Sequence, residues 1–215
     1  MFKAIVFDLD GTLVDSLRDI AESVNAALAQ HGLPGHAVED YRWMVGDGIR
    51  MLVERALPPE RRDLIEATLA VQREYYYMHI CDHTMPYPGI DELLHTLQSK
   101  PVQLGVLSNK THALVQSLVD KVFPDHPFAV VRGARPDVPL KPDPTALWEI
   151  LSQWEVSAEE TLYVGDSAVD MQTAIRAGAY AVGVAWGFRP REELQSNGCQ
   201  ALIDRPVDLL GLLGG

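Results

Sequence analysis

Asp8 and Asp10 stand two residues apart in the string FDLDGT at 7–12, where an apolar run over 3–9 comes to its end. Residues i and i+2 of a strand share a face, so both carboxylates point to the same side. Two close carboxylates repel each other, and a cation that prefers oxygen ligands, Mg2+ most simply, relieves the repulsion. Gly11 lets the chain turn sharply, and Thr12 can offer a hydroxyl or an amide to an anion. The alternative is purely structural: Asp10-Gly11 is a turn, and Asp10 caps the next helix.

A second acidic pair lies far along the chain, in GDSAVD at 165–170. Asp166 and Asp170 are four apart where a helix opens, so they project from one side of it. They could equally do no more than complement the helix dipole. A parallel sheet changes the weighing, because its strand C-termini open on one edge, where ligands bind. That edge would bring Asp8, Asp10 and Asp166 to one cation. Ser108-Asn109 follows the apolar run 102–107 and could hold phosphate oxygens there, or Ser108 could cap a helix. Lys141 sits in LKPDP at 140–144, where prolines stiffen the backbone. A rigidly held lysine can neutralise a phosphate and neighbouring carboxylates, whereas a lone one is ordinarily a solvated surface charge.

These residues need a sheet to position them. Apolar, β-branched runs at 3–9, 102–107, 128–131, 161–164 and 181–186 read as strands buried on both faces. Helical patterns at 113–122, 145–154 and 168–177 alternate with them, which predicts an α/β fold with a doubly wound, Rossmann-like parallel sheet. From Ser16 to His83 there is no convincing strand. Leu17, Ile20, Ala21, Val24, Ala27 and Leu28 instead mark one helix face, ended by Gly32 and Pro34. Further helices are expected over 48–57 and 60–79. The block is too long for a simple crossover, so a helical cap domain at 16–83 is expected, inserted into a core of 1–15 and 84–215 with a return hinge at 85–89. In the cap, Gly46-Asp-Gly48 followed by Arg50 is the part best placed to reach a substrate carboxylate, unless Arg50 is an exposed helix arginine. The Tyr75–Tyr77 run reads as cap core, and Trp186-Gly-Phe-Arg189 as a rim without a catalytic role.

Composition narrows the class. The 215 residues are 47% hydrophobic, enough for a real core, and carry a net charge of -12 with no run of Lys or Arg. Nucleic acid and membrane surfaces would repel such a chain, so neither is an expected partner. Cys81 and Cys199 lie far apart, fitting a reducing cytosol without a disulfide, and Cys81-Asp-His83 lacks the second pair a metal site would need. The first strand is too short and too acidic for a signal peptide, and a soluble cytoplasmic protein, monomer or homodimer, is expected.

Together, FDLDGT at 7–12, LSN at 107–109, KPDP at 141–144 and GDSAVD at 165–170 resemble the haloacid dehalogenase-like (HAD) superfamily. VGDGIRMLVERAL at 45–57, YPGIDELL at 87–94, SNK at 108–110 and WGFRPREEL at 186–194 are similar to its phosphoglycolate phosphatase branch. The resemblance implies strand order 5-4-1-2-3 with the first strand central. It implies Asp8 as nucleophile, Asp10 as acid and base, Ser108 and Lys141 on the transferring phosphoryl group, and Gly11, Thr12, Asn109 and Arg50 as substrate contacts. Asp8, Asp166, Asp170 and the Asp10 carbonyl would serve Mg2+. The implied activity is Mg2+-dependent hydrolysis of a small phosphorylated metabolite, 2-phosphoglycolate first, through an aspartyl phosphate. A pyrophosphatase, a sugar-phosphate or nucleotide phosphatase, a β-phosphoglucomutase-type isomerase and a binding module with a vestigial site are the alternatives.

Overall fold

The computed structural model describes residues 1–125 and 127–214. Its centre is β1 (Ala4–Phe7), buried along its whole length as a two-faced parallel strand should be. After β1 comes a small ribbon: β2 (Val14–Asp15) pairs antiparallel with β3 (Met85–Pro86), at the expected return hinge. The remaining core strands are β4 (Gln103–Thr111), β5 (Val130–Ala134), β6 (Thr161–Gly165), β7 (Tyr180–Val184) and β8 (Ala201–Ile203). The six-stranded sheet runs β5-β4-β1-β6-β7-β8 with every pairing parallel. This is the order implied by the resemblance, with β1 between β4 and β6 and with β8 added at one edge. The strand expected over 128–131 begins later, at Val130, and Phe128 just before it packs its ring edge-on against Phe7 and Phe123.

Helices cover both faces: α4 (Ile90–Leu97), α5 (His112–Val122), α6 (Thr145–Trp154), α7 (Ala168–Ala177), α8 (Arg191–Ser196) and a short C-terminal α9 (Leu210–Leu213). Two apolar clusters result. The larger contains Ile5, Phe7, Val164 and Val182, and the smaller holds Val6, Tyr163, Leu147 and Met171 on the opposite sheet face.

Between β2 and β3 the chain is helical: α1 (Leu17–Gln30), α2 (Ile49–Ala56) and α3 (Ile65–Met78), with 3-10 turns at Val38–Trp43 and Pro59–Leu64. All six residues of the predicted α1 stripe are buried. The single helix expected over 60–79 is instead a 3-10 turn followed by α3. Pro58-Pro59 and the non-helical Arg61 (φ -117°, ψ 25°) interrupt it. The Asp19 carboxylate on α1 accepts hydrogen bonds from the His83 and Thr84 amides and the Thr84 hydroxyl, which ties the block to the returning chain. Both cysteines are free thiols. Among the described residues no helix is long and apolar enough to cross a membrane.

Candidate active site

The site lies at the C-terminal edge of the three central strands. The Asp8 amide donates to the Val164 carbonyl at 2.8 Å, so the ladder fixes the backbone where β1 ends and its carboxylate emerges. Asp166 follows β6 directly. Ser108 and Asn109 leave Leu107 through a shift of the β4–β5 register, the kind of local irregularity that re-aims side chains.

Lys141 is the hub. Its Nζ donates to Asp8 Oδ1 and to Asp170 Oδ1, each at 2.7 Å, with the lysine side chain only 4% exposed. Asn109 holds this lysine in place: its Oδ1 accepts from the Lys141 amide at 2.8 Å, and its Nδ2 donates to the Lys141 and Gly46 carbonyls at 2.9 Å each. Asp170 Oδ2 accepts from the Ser167 hydroxyl and amide, closing a capping box on α7. Asp166 Oδ2 accepts from the Phe188 amide at 2.7 Å, and the Thr12 hydroxyl stands 3.4 Å from its other oxygen. Asp8, Asp166 and Asp170 can bring one carboxylate oxygen each within 4.8 Å of one another.

Three buried acids so close are held against their own repulsion. Burial pushes the Asp8 carboxyl up to about 7, with Lys141 opposing and Asp170 and Asp10 adding to the rise. Burial, then Asp170 and Asp8, hold Asp166 well above the usual carboxylate range. Burial alone would lower the Lys141 ammonium, but Asp170 and Asp8 outweigh it and raise it well above its ordinary value. Lys141 contributes one positive charge to three acids. A hard divalent cation is therefore what the donor set fits, since oxygen ligands and charge deficit agree.

The other candidates fall differently. The Asp10 carboxylate is not part of the three-acid group. It accepts from Lys110 Nζ at 2.7 and 2.8 Å and from the Ser16 hydroxyl at 2.5 Å. Ser108 is buried, with its Oγ accepting from the Lys110 amide. Gly11 and Thr12 brace Asp166 from behind. Arg50 points away: it is 62% exposed, pairs with Glu66 and does not line the pocket. Ser16 carries no signal in the sequence, whereas Lys110 and Phe188 fall inside SNK at 108–110 and WGFRPREEL at 186–194, motifs that carry the branch resemblance without implying a role for either residue.

Gly11 has φ +91°, and a Cβ there would stand 2.3 Å from Asp166 Oδ2. Gly11→Ala is expected to cost about 2–4 kcal/mol from left-handed strain and overpacking. A thermal melt reads this as a drop of several degrees, and an unchanged melting temperature would contradict this packing.

The pocket above the acids has a volume of about 100 Å3, with a floor from the sheet edge and a roof that includes Ile49, Leu52, Leu69 and Tyr76. Comparison with known proteins fits this layout. A family model described as haloacid dehalogenase-like hydrolase matches residues 5–184. The chain belongs to that family. This haloacid dehalogenase-like hydrolase is 35% identical to a phosphoglycolate phosphatase of Pseudomonas syringae pv. tomato, over 99% of its own length and 79% of the relative's. It is 33% identical to one of Haemophilus influenzae, covering 99% of this chain and 98% of that protein. A crystallised protein of Lactobacillus delbrueckii subsp. bulgaricus, provisionally named phosphoglycolate phosphatase, superposes with a TM-score of 0.93 at 31% identity, covering 100% of this hydrolase and 99% of that chain. Family and branch resemblance both stand.

Proposed function

We propose that this hydrolase cleaves a small phosphate monoester, 2-phosphoglycolate before others, with Asp8 as nucleophile and Mg2+ as cofactor. The observation that carries this is the Asp8–Lys141–Asp170 bridge beside Asp166 on the pocket floor. The size of the pocket supports a small ester. A cavity of about 100 Å3 beside the three acids has room for a two- or three-carbon phosphate. Relatives named phosphoglycolate phosphatase, matched along 99% of this chain, support the same choice.

In this reading an Asp8 carboxylate oxygen attacks phosphorus in line, and the bond from phosphorus to the ester oxygen breaks. Asp10 gives a proton to the leaving alkoxide. Asp10 then takes a proton from water, which attacks the aspartyl phosphate and frees phosphate, restoring the Asp8 carboxylate. Ser108 and Lys141 hold the equatorial oxygens, and Asn109 holds Lys141. Asp8, Asp166, Asp170 and the Asp10 carbonyl would hold Mg2+, which supplies charge neutralisation for the phosphoryl oxygens. Residues 16–83 would act as a cap closing over a core of 1–15 and 84–215, with the β2/β3 ribbon as hinge and Asn109–Gly46 as a contact between them.

Purified protein with Mg2+ is expected to release phosphate from 2-phosphoglycolate with a higher kcat/KM than from hexose phosphates or nucleotides. EDTA should stop the reaction and added Mg2+ restore it. Absence of phosphate release from every monoester tried would end this reading.

A further inference from the structure

The pocket wall contributed by α3 holds a cation with nothing to neutralise. Leu69, Gln72, Arg73 and Tyr76 all line the pocket, spaced as one face of that helix. Gln72 is committed, its Nε2 donating to the Ser23 hydroxyl at 3.0 Å. Tyr76 is 2% exposed, yet its hydroxyl makes no hydrogen bond, and the Lys110 ammonium lies over its ring, 4.9 Å from the centroid. Among the described residues every arginine except Arg73 has an ion pair or a hydrogen bond. On the helical block Arg18 pairs with Glu22, Arg42 with Glu39, Arg50 with Glu66, Arg55 with Asp47, Arg61 with Asp63 and Arg62 with Glu54. On a surface this rich in acid, an arginine without a carboxylate is an exception. It stands at the edge of the pocket that holds the reacting group.

The other pocket cations are already spent. Lys141 serves Asp8 and Asp170, and Lys110 serves Asp10. Arg189 donates to the Trp43 and Val45 carbonyls and packs 5.2 Å from the Trp43 ring. A negative charge on the substrate other than its phosphate would therefore find one available partner. The geometry points to Arg73 as the specificity residue for a carboxylate on the substrate, borne a carbon or two from the phosphate ester. The inference rests on the phosphatase reading and assigns its substrate class from the pocket wall. A carboxylate is the better match than a second phosphate, since one planar guanidinium takes it through two parallel hydrogen bonds and balances its single charge. Arg50, the sequence candidate for this task, is on the outside with Glu66.

The test separates this inference from the reading it rests on. Arg73→Gln and Arg50→Gln are compared with wild type in Mg2+, first by turnover of 2-phosphoglycolate against ethyl phosphate. Binding of phosphonoacetate against methylphosphonate by calorimetry follows, which needs no chemistry. In R73Q the 2-phosphoglycolate-to-ethyl-phosphate ratio of kcat/KM is expected to fall roughly 10- to 100-fold, chiefly through KM, with the same loss in the binding ratio. Arg73→Lys should recover part of it, and R50Q should keep the wild-type ratios. Arg73 is exposed, and a melt checks that R73Q folds. Wild-type-like ratios in R73Q, or wild-type protein with no preference for phosphonoacetate, overturn the assignment. Arg73-dependent binding of phosphonoacetate without turnover of any ester would keep the subsite and remove the phosphatase.

Discussion

Asp8→Asn is expected to lower phosphate release by roughly four orders of magnitude or more while leaving the fold intact. The amide has nearly the shape of the carboxylate but is neither charged nor a competent nucleophile, so the first displacement has no attacking atom. The fold should hold because Asp8 is fixed through its backbone, by the amide bond to Val164 that continues the β1–β6 ladder. Its side chain is a source of strain, since burial and the neighbouring Asp170 and Asp10 all disfavour its charge. Removing that charge leaves Lys141 paired with Asp170 at 2.7 Å and relieves the crowding with Asp166. The metal-free variant should therefore melt no lower than metal-free wild type, and Mg2+ should raise its melting temperature less. Acid quench after mixing with phosphate-labelled substrate should trap label on wild type and none on the variant. Near-wild-type turnover would remove Asp8 as the nucleophile.

Much of this site could be read from the chain because its parts sit where strands end. An apolar run followed at once by Asp8, by Ser108 or by Asp166 tells both that a strand stops and that a polar side chain emerges there. Once those strands are taken as parallel, the edge is shared. What stayed hidden depends on geometry that one-dimensional spacing does not contain. The reach of Lys110 to Asp10 follows from the register shift after Leu107. The amide of Phe188 that holds Asp166 has no side-chain signature at all. Whether Arg50 or Arg73 faces the pocket is set by how α2 and α3 rotate against each other, and Glu66 of α3 draws Arg50 outward. β8 is too short, at three residues, to show a periodicity. The helix α4 is a different case, for Ile90, Leu93, Leu94 and Leu97 carry as clear a stripe as α1 and all are buried.

Lys141→Met is expected to affect both stability and turnover, and to cost more stability than removing any one acid. Methionine keeps the length and apolar stem of lysine but not the charge. Asp8 and Asp170 would then face each other and Asp166 in a buried space with no cation from the protein. Breaking a buried ion pair from one side typically costs about 3–5 kcal/mol, because the stranded charge keeps its desolvation penalty. For a chain of this size that corresponds to a melting temperature lower by roughly 10 °C in EDTA. Mg2+ should restore part of the loss, since it supplies charge to the same carboxylates. The double variant Lys141→Met, Asp170→Asn should regain stability in EDTA relative to the single one, because one of the two acids that the lysine bridges has become neutral. Turnover should fall by about 100-fold or more even with saturating Mg2+, because no protein cation then touches the transferring phosphoryl group. A Lys141→Met protein that melts with wild type in EDTA would mean that Lys141 does not offset negative charge on these acids. The case for a cation between them would fail with it.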